Sequence, residues 1–296
     1  LRQDYLMNEE KTSLLLEVTA RQRPFLLSRN EAEEKVSIYL SIPFCPTRCH
    51  YCSFPSFCLP KPHLQEEYLS HLIAECNAVG EALSQKGIAV QTVYIGGGTP
   101  TTLSAEQLTA LFRAVETSFD LSTVREYTVE AGRPDTVSED KFRVLREAGV
   151  SRISINPQTM KQATLDIIGR FHTVEHVKEQ FRLARELGFD NINMDLIIGL
   201  PEEDLEDVRQ TMEQVKELAP DSVTVHSLAI KRAAKLNMFK EKYANLKIEN
   251  TQEMIDVTEE YSRGMGLVPY YLYRQKNMAG NFENVGYAKV DKAGIY

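Results

Sequence analysis

At 296 residues the chain is long enough to bury one large core, and with 43% hydrophobic and 26% charged residues its composition excludes a disordered protein. A formal net charge of -8 excludes the broad basic surface that sequence-independent nucleic-acid binding requires, so no nucleic acid partner is expected. No apolar run approaches the roughly 20 residues that cross a bilayer, and the first residues lack the basic-then-apolar layout of a secretory signal, so the chain reads as cytoplasmic with no membrane span.

From the amino terminus, Leu1 to Phe25 reads as a polar-apolar helix ending at RQRP. A first strand is predicted at VSIYLSI (Val36 to Ile42), then a helix over Leu64 to Leu83 and a second strand at TVYIGG (Thr92 to Gly97). The alternation continues with a helix over Ala105 to Phe119, EYTVEAG (Glu126 to Gly132), a helix over Glu139 to Ala148, and RISINPQ (Arg152 to Gln158). It closes with a helix over Val174 to Leu187, NINMDLIIG (Asn191 to Gly199), a helix over Leu205 to Leu218, and SVTVHSLAI (Ser222 to Ile230). The helical stretches carry apolar residues at three- and four-residue spacing. Ser104 and Ser138 stand where N-caps belong, and Gly149 and Gly188 where helices end. After Ile230 come KRAAKL, a charged helical stretch from Asn250 to Arg263, and an aromatic run YYLYRQKN.

Six consecutive βα units define an α/β fold with a parallel sheet, either open and doubly wound or curled into part of a barrel. Periodicity does not choose between them. In both, ligands collect at the carboxyl ends of the strands, so the βα loops are where chemistry is sought.

Directly after the first strand, IPFCPTRCHYCSF places three residues between Cys45 and Cys49 and two between Cys49 and Cys52. Five cysteines, three of them within eight residues, suit metal ligation better than a disulfide framework. Structural zinc normally takes four protein ligands, whereas three thiolates on a four-iron cluster leave one iron open to a small molecule. A closed zinc or iron-sulfur site with His50, Cys58 or Cys76 as the fourth ligand is the other reading.

The C-x3-C-x2-C loop after the first strand, with Tyr51 before the last cysteine, resembles that of radical S-adenosylmethionine (SAM) enzymes. GGGTPT at Gly96 to Thr101 resembles the superfamily's glycine-rich loop for the methionine end of the cofactor. Within the superfamily the chain is most similar, from Tyr39 to its end, to the oxygen-independent coproporphyrinogen III oxidases. Tyr39 in YLSIPFC, Tyr51, Gly97, Gly98, Thr99 and Glu130 in VEAGRP then match cofactor-side positions. Gln158 in INPQT, Arg170 in IIGRFH, Asp195 in NMDLIIGLP and Ala229 resemble the group around a second SAM. KRAAKL and YYLYRQKNMAGNFENVGY are similar to the coproporphyrinogen dehydrogenase branch of HemZ type; the related haem chaperones end in His-Asn-x-x-Tyr-Trp, and this chain has no tryptophan. The better-understood oxidases carry a fourth, non-ligand cysteine where this chain has Phe54, with Cys58 nearby.

The resemblance implies a partial TIM-like (β/α)6 barrel over residues 36–232, an N-terminal helical segment over 1–35, and a C-terminal segment over 233–296 that closes the barrel and contributes to the substrate site. It implies a [4Fe-4S] cluster on Cys45, Cys49 and Cys52, two molecules of SAM, and an electron donor such as flavodoxin or ferredoxin. The implied reaction is decarboxylation of coproporphyrinogen III to protoporphyrinogen IX by a 5'-deoxyadenosyl radical, with no protein nucleophile. An anaerobic haem-degrading methyltransferase and a haem-binding chaperone without turnover are the alternatives. A tetracarboxylate tetrapyrrole needs cations at its rim, and Lys231, Arg232 and Arg274, with Lys235 and Lys276, are candidates. Tyr270, Tyr271 and Tyr273 could face a flat macrocycle.

Overall fold

The computed structural model describes residues 7–54, 57–276, 278, 280 and 282–296. In chain order it contains helices α1 (Glu9–Gln22) and α2 (Arg29–Glu34), strands β1 (Lys35–Ile42), β2 (Phe44–Cys45) and β3 (Phe57–Cys58), helix α3 (Pro62–Lys86), β4 (Ala89–Gly97), α4 (Ala105–Ser118), β5 (Glu126–Glu130) and α5 (Glu139–Glu147). There follow β6 (Arg152–Ser154), α6 (Gln162–Ile167), α7 (Val174–Glu186), β7 (Ile192–Ile198), α8 (Leu205–Leu218), β8 (Ser222–Ser227), α9 (Lys235–Met238), α10 (Gln252–Gly264), β9 (Val268–Tyr273) and β10 (Asn284–Ala288). The first part of the expected amino-terminal helix, residues 1–6, lies outside the described residues.

The main sheet runs β1-β4-β5-β6-β7-β8-β10-β9. Its first six strands are parallel and lie in sequence order. A doubly wound sheet would reverse that order at a switch point, so the arrangement is the open (β/α)6 barrel. Strands β4 to β8 are largely buried, as strands covered by helices are, whereas the edge strand β1 leaves Ser37 and Tyr39 exposed; Ile42, Val93, Ile95, Val129 and Ile153 have no exposed surface, and Leu108, Leu111, Phe142 and Leu145 of the flanking helices pack on them. Ser104 caps α4 in a reciprocal box with Gln107. Ser138 occupies the N-cap position of α5 without capping it, because its hydroxyl donates to Asp140 instead.

The sheet does not stop at β8. The strand β10 pairs antiparallel with β8, and β9 with β10. The aromatic run therefore begins as a strand, which its sequence VPYYLY conceals because Pro269 cannot donate to a ladder; its place at the edge of the sheet is what tolerates the proline. Helix α1 packs on β9, and two ion pairs tie it to its neighbours, Lys11 to Glu283 and Arg263 to Glu17, each at 2.9 Å. The other departure matters for the site. Strand β6 ends at Ser154 rather than Gln158, because Pro157 interrupts the ladder and Gln158 turns to φ 68°. Among the described residues no helix is long and apolar enough to cross a membrane.

Candidate active site

The cysteine loop sits across the carboxyl ends of the strands, pinned by backbone and side-chain bonds to the loop after α6. His50 N donates to the Ile168 carbonyl at 2.9 Å, His50 Nδ1 lies 2.7 Å from the Ile167 carbonyl, and the Thr47 hydroxyl donates to the Gly169 carbonyl at 3.4 Å. Gly169 has φ 73°, and a Cβ there would lie 2.9 Å from His50 Nε2, so glycine alone lets the two loops close on each other. A short parallel ladder, β2 with β3, makes Cys45 and Cys58 register partners, but Cys58 is exposed and does not line the pocket of the other three.

Cys45, Cys49 and Cys52 share a pocket of about 150 Å³ with Tyr51, Gly98, Thr99, Glu130, Gln158 and Arg170. Its polar groups face sulfur: Thr99 Oγ1 donates to Cys45 Sγ at 3.5 Å, and Arg133 Nη1 to Cys49 Sγ at 3.8 Å. Among the described residues no three His, Cys, Asp or Glu side chains stand close enough together to hold one metal ion. Three thiolates spread around a common pocket, with hydrogen-bond donors to two of them, are the donor set of a cluster larger than one ion. The residues present therefore fit a [4Fe-4S] cluster. The glycine loop runs beside it: Gly98 N donates to the Ile42 carbonyl at 2.8 Å, and Cβ atoms at Gly97 and Gly98 would lie 2.7 Å from Ser41 Oγ and 2.6 Å from the Phe44 carbonyl oxygen. Close approach to β1 and β2 is thus one physical reason for these glycines.

A second cavity of about 620 Å³ opens from the cluster pocket and is lined by Tyr39, Tyr51, Cys52, Gly97, Glu130, Gln158, Asp195, Ala229 and Lys231. All ten residues read from sequence as cofactor contacts line one cavity or the other. Of the three cations read as substrate contacts, Lys231 lines the larger cavity, whereas Arg232 and Arg274 are exposed and line neither. Lys235 and Lys276 line neither as well, and of the three tyrosines only Tyr273 faces the 620 Å³ cavity. A third space of about 590 Å³ continues down the concave face of the sheet, sharing Tyr39, Glu130, Asp195, His226 and Tyr273 with the second. Tyr270 and Tyr271 line that lower space.

Gln158 owes its place to strain. Its φ of 68° costs a residue with a Cβ about 1–2 kcal/mol, and the backbone is held there by its N-H to the Asp195 carbonyl (3.0 Å) and its carbonyl to Ile197 N (2.9 Å). Asp195 accepts from Asn193 Nδ2 at 2.7 Å, has its own N-H on Asn156 Oδ1, and stands 3.9 Å from His226 Nε2. Arg170 is buried and spends Nη2 on the Gly132 and Asn156 carbonyls (2.7 and 2.9 Å) and Nη1 on the Tyr51 hydroxyl (3.3 Å), while Nε has no partner in the protein. It is thus a staple between three βα loops that keeps one donor unused.

Glu130 accepts from the Tyr94 hydroxyl at 2.7 Å, and burial pushes its carboxyl up to about 7, with the nearby Asp195 charge adding to the rise. A ligand that needs the carboxylate must displace this proton. If Glu130 holds the first SAM, affinity is expected to rise about tenfold between pH 6 and pH 8, the span over which a group with its pKa near 7 goes from mostly protonated to mostly ionised. Binding to Glu130→Gln should lack that rise, which equilibrium dialysis across this range checks; equal slopes in the two proteins would remove Glu130 from the site.

Arg133 was not singled out from the sequence. It is buried, pairs through Nε and Nη2 with Asp135 (3.0 and 2.7 Å), and reaches Thr47 and Cys49 with Nη1. Its position three residues after Glu130, in the loop following β5, was the only available signal.

Compared with known proteins, the Radical SAM superfamily profile matches residues 39–215. An oxygen-independent coproporphyrinogen-III oxidase-like protein, HemZ of Bacillus subtilis, is 43% identical over all of this chain and 60% of its own length. The heme chaperone HemW of Bacillus subtilis is 39% identical over 66% of this chain and 50% of its own. Among solved structures, the coproporphyrinogen III oxidase HemN from Escherichia coli, a radical SAM enzyme, aligns over 86% of this chain and 56% of its own at 26% identity and a TM-score of 0.72. The chain thus spans between half and two thirds of the length of these three relatives.

Proposed function

The chain belongs to the radical SAM superfamily, and from that premise we propose that it carries out the oxygen-independent oxidative decarboxylation of coproporphyrinogen III to protoporphyrinogen IX. The observation that carries this reading is the 620 Å³ cavity, in which Cys52 and seven of the cofactor positions share a wall with a cation, Lys231, and an aromatic face, Tyr273. A porphyrinogen has the width to lie against Tyr273 and carboxylates of which one could pair with Lys231. Enzymes of this superfamily use a [4Fe-4S] cluster and SAM, which together supply a 5'-deoxyadenosyl radical able to take a hydrogen atom from an unactivated carbon. At each of two propionates, the deoxyadenosyl radical would take a hydrogen atom from the β-carbon, and loss of carbon dioxide with transfer of one electron to an acceptor outside this chain would leave a vinyl group.

The chain's own part is positioning. Cys45, Cys49 and Cys52 would hold the cluster and leave one iron for the first SAM. Glu130 would exchange its proton for the positively charged end of that cofactor. Gln158, Arg170, Asp195 and Ala229 would orient a second SAM, the Arg170 Nε being the unused donor for its carboxylate. Lys231 would anchor a substrate carboxylate at the cavity mouth. Tyr51, hydrogen-bonded to Arg170, forms one wall of the cluster pocket.

The test is anaerobic: reconstitute with iron and sulfide, reduce, add SAM and coproporphyrinogen III, and follow 5'-deoxyadenosine together with vinyl product. Both are expected. Deoxyadenosine without vinyl product would overturn the substrate, and methylated haem in its place would support the methyltransferase reading. Stoichiometric haem binding without any cleavage of SAM would favour a chaperone, the function named for the relative matched over 66% of the chain.

A further inference from the structure

Residues 231–247 carry six lysines and arginines against a single acid, Glu241, in a chain whose net charge is -8. This segment folds back onto the outside of the cysteine loop. Arg48 Nη2 donates to the Ala233 carbonyl at 3.0 Å, and Leu236 N to the His50 carbonyl at 2.9 Å, on either side of Cys49. Tyr243 places its hydroxyl 3.3 Å from His50 Nδ1 with the rings 5.7 Å apart, and Lys242 lies over the Tyr243 ring at 5.6 Å. Within this basic surface two apolar side chains stand out in solvent, Met238 at 59% and Phe239 at 53% exposure. Lys247 is occupied by Glu249 at 2.6 Å. Arg232, Lys240 and Lys242 are exposed and form no ion pair among the described residues.

We propose that this face, with Arg232, Lys240 and Lys242 around Met238 and Phe239, is the docking surface for an acidic one-electron carrier protein that reduces the cluster. It rests on the radical SAM reading, because the reaction begins with an electron that no residue of the chain can supply. In the docked pair the carrier is oxidised by one electron and the cluster reduced by one, with no bond made or broken. An apolar centre within a cationic rim is the pattern of a transient interface whose encounter is steered by charge. The face lies against the loop that holds the ligands, and none of Arg232, Met238, Phe239, Lys240 and Lys242 lines either SAM cavity, so a carrier seated there leaves the substrate's route open. It also gives the exposed Arg232 a role that its absence from both cavities denies it as a substrate contact.

The test uses the reconstituted protein without SAM or tetrapyrrole, so failure of the coproporphyrinogen reading cannot imitate failure of this one. Reduction of the cluster is followed by stopped flow with a reduced flavodoxin and, separately, with dithionite. In the double variant Lys240→Glu, Lys242→Glu the flavodoxin rate constant at low salt is expected to fall at least about tenfold, and the loss to shrink as salt rises. The dithionite rate should not change. A matched reversal at the amino ends of the strands, Lys86→Glu with Lys216→Glu, should leave both rates within about twofold. An unchanged flavodoxin rate in the first pair, or an equal fall in the matched pair, would overturn the proposal. If the reversal damages the cluster and slows dithionite too, Lys240→Gln with Lys242→Gln decides: a loss of about threefold with flavodoxin alone supports it, and none overturns it.

Discussion

Alanine at Cys45, Cys49 or Cys52 is expected to leave a protein that holds no stable four-iron cluster and cleaves no SAM. Each replacement leaves two thiolates, too few to bind the cluster, and with no cluster there is no electron for the cofactor, so activity falls to background. The control replacements sharpen this. Cys76, on α3, is buried in the hydrophobic core, and Cys58 is exposed beside the loop, so alanine at either should preserve a full iron complement. Iron, sulfide and the visible absorption of the reconstituted variants measure the outcome. Full iron in any of the three loop variants would sink the ligand assignment. Loss of iron in Cys58→Ala would establish a four-cysteine site with no iron open to SAM.

The second large effect concerns stability. Arg170→Met removes a buried guanidinium and leaves the Gly132 and Asn156 carbonyls without their donor, and the Tyr51 hydroxyl without its partner. Orphaning buried acceptors in this way is expected to cost about 2–4 kcal/mol, read as a lower urea midpoint. Arg170→Lys should recover less than half of it, because one ammonium cannot reach three acceptors that a planar fork spans. Gln158 lies two residues beyond Asn156 in a strained backbone, so the same variant should also weaken binding of a second SAM while leaving iron intact. A midpoint shift equivalent to less than about 1 kcal/mol would mean that the staple is dispensable.

The six parallel strands and their helices were legible because a covered parallel sheet writes itself as short apolar runs between amphipathic helices, and the cysteine and glycine loops were legible because their spacing is local. What the sequence hid is tertiary. The edge strand β9 carries a proline that argues against a strand until its edge position is known. Arg133 is one arginine in a loop until β5 brings it within 3.8 Å of Cys49. Lys231 and Arg232 are neighbours in sequence and both exposed, yet only Lys231 lines the cavity; the turn after β8 that separates them has no local signature. The sequence places Arg170 in the group around a second SAM, and the fold commits two of its nitrogens to the backbone and to Tyr51 first.

The most direct measurement follows a label. Coproporphyrinogen III deuterated at the propionate β-carbons is incubated anaerobically with the reduced, reconstituted protein and SAM, and the 5'-deoxyadenosine is analysed by mass spectrometry together with released carbon dioxide. Deuterium in the deoxyadenosine, with one carbon dioxide for each vinyl group formed, is the predicted result. Unlabelled deoxyadenosine with no carbon dioxide would contradict it, since the radical would then be taking its hydrogen from somewhere other than the propionate.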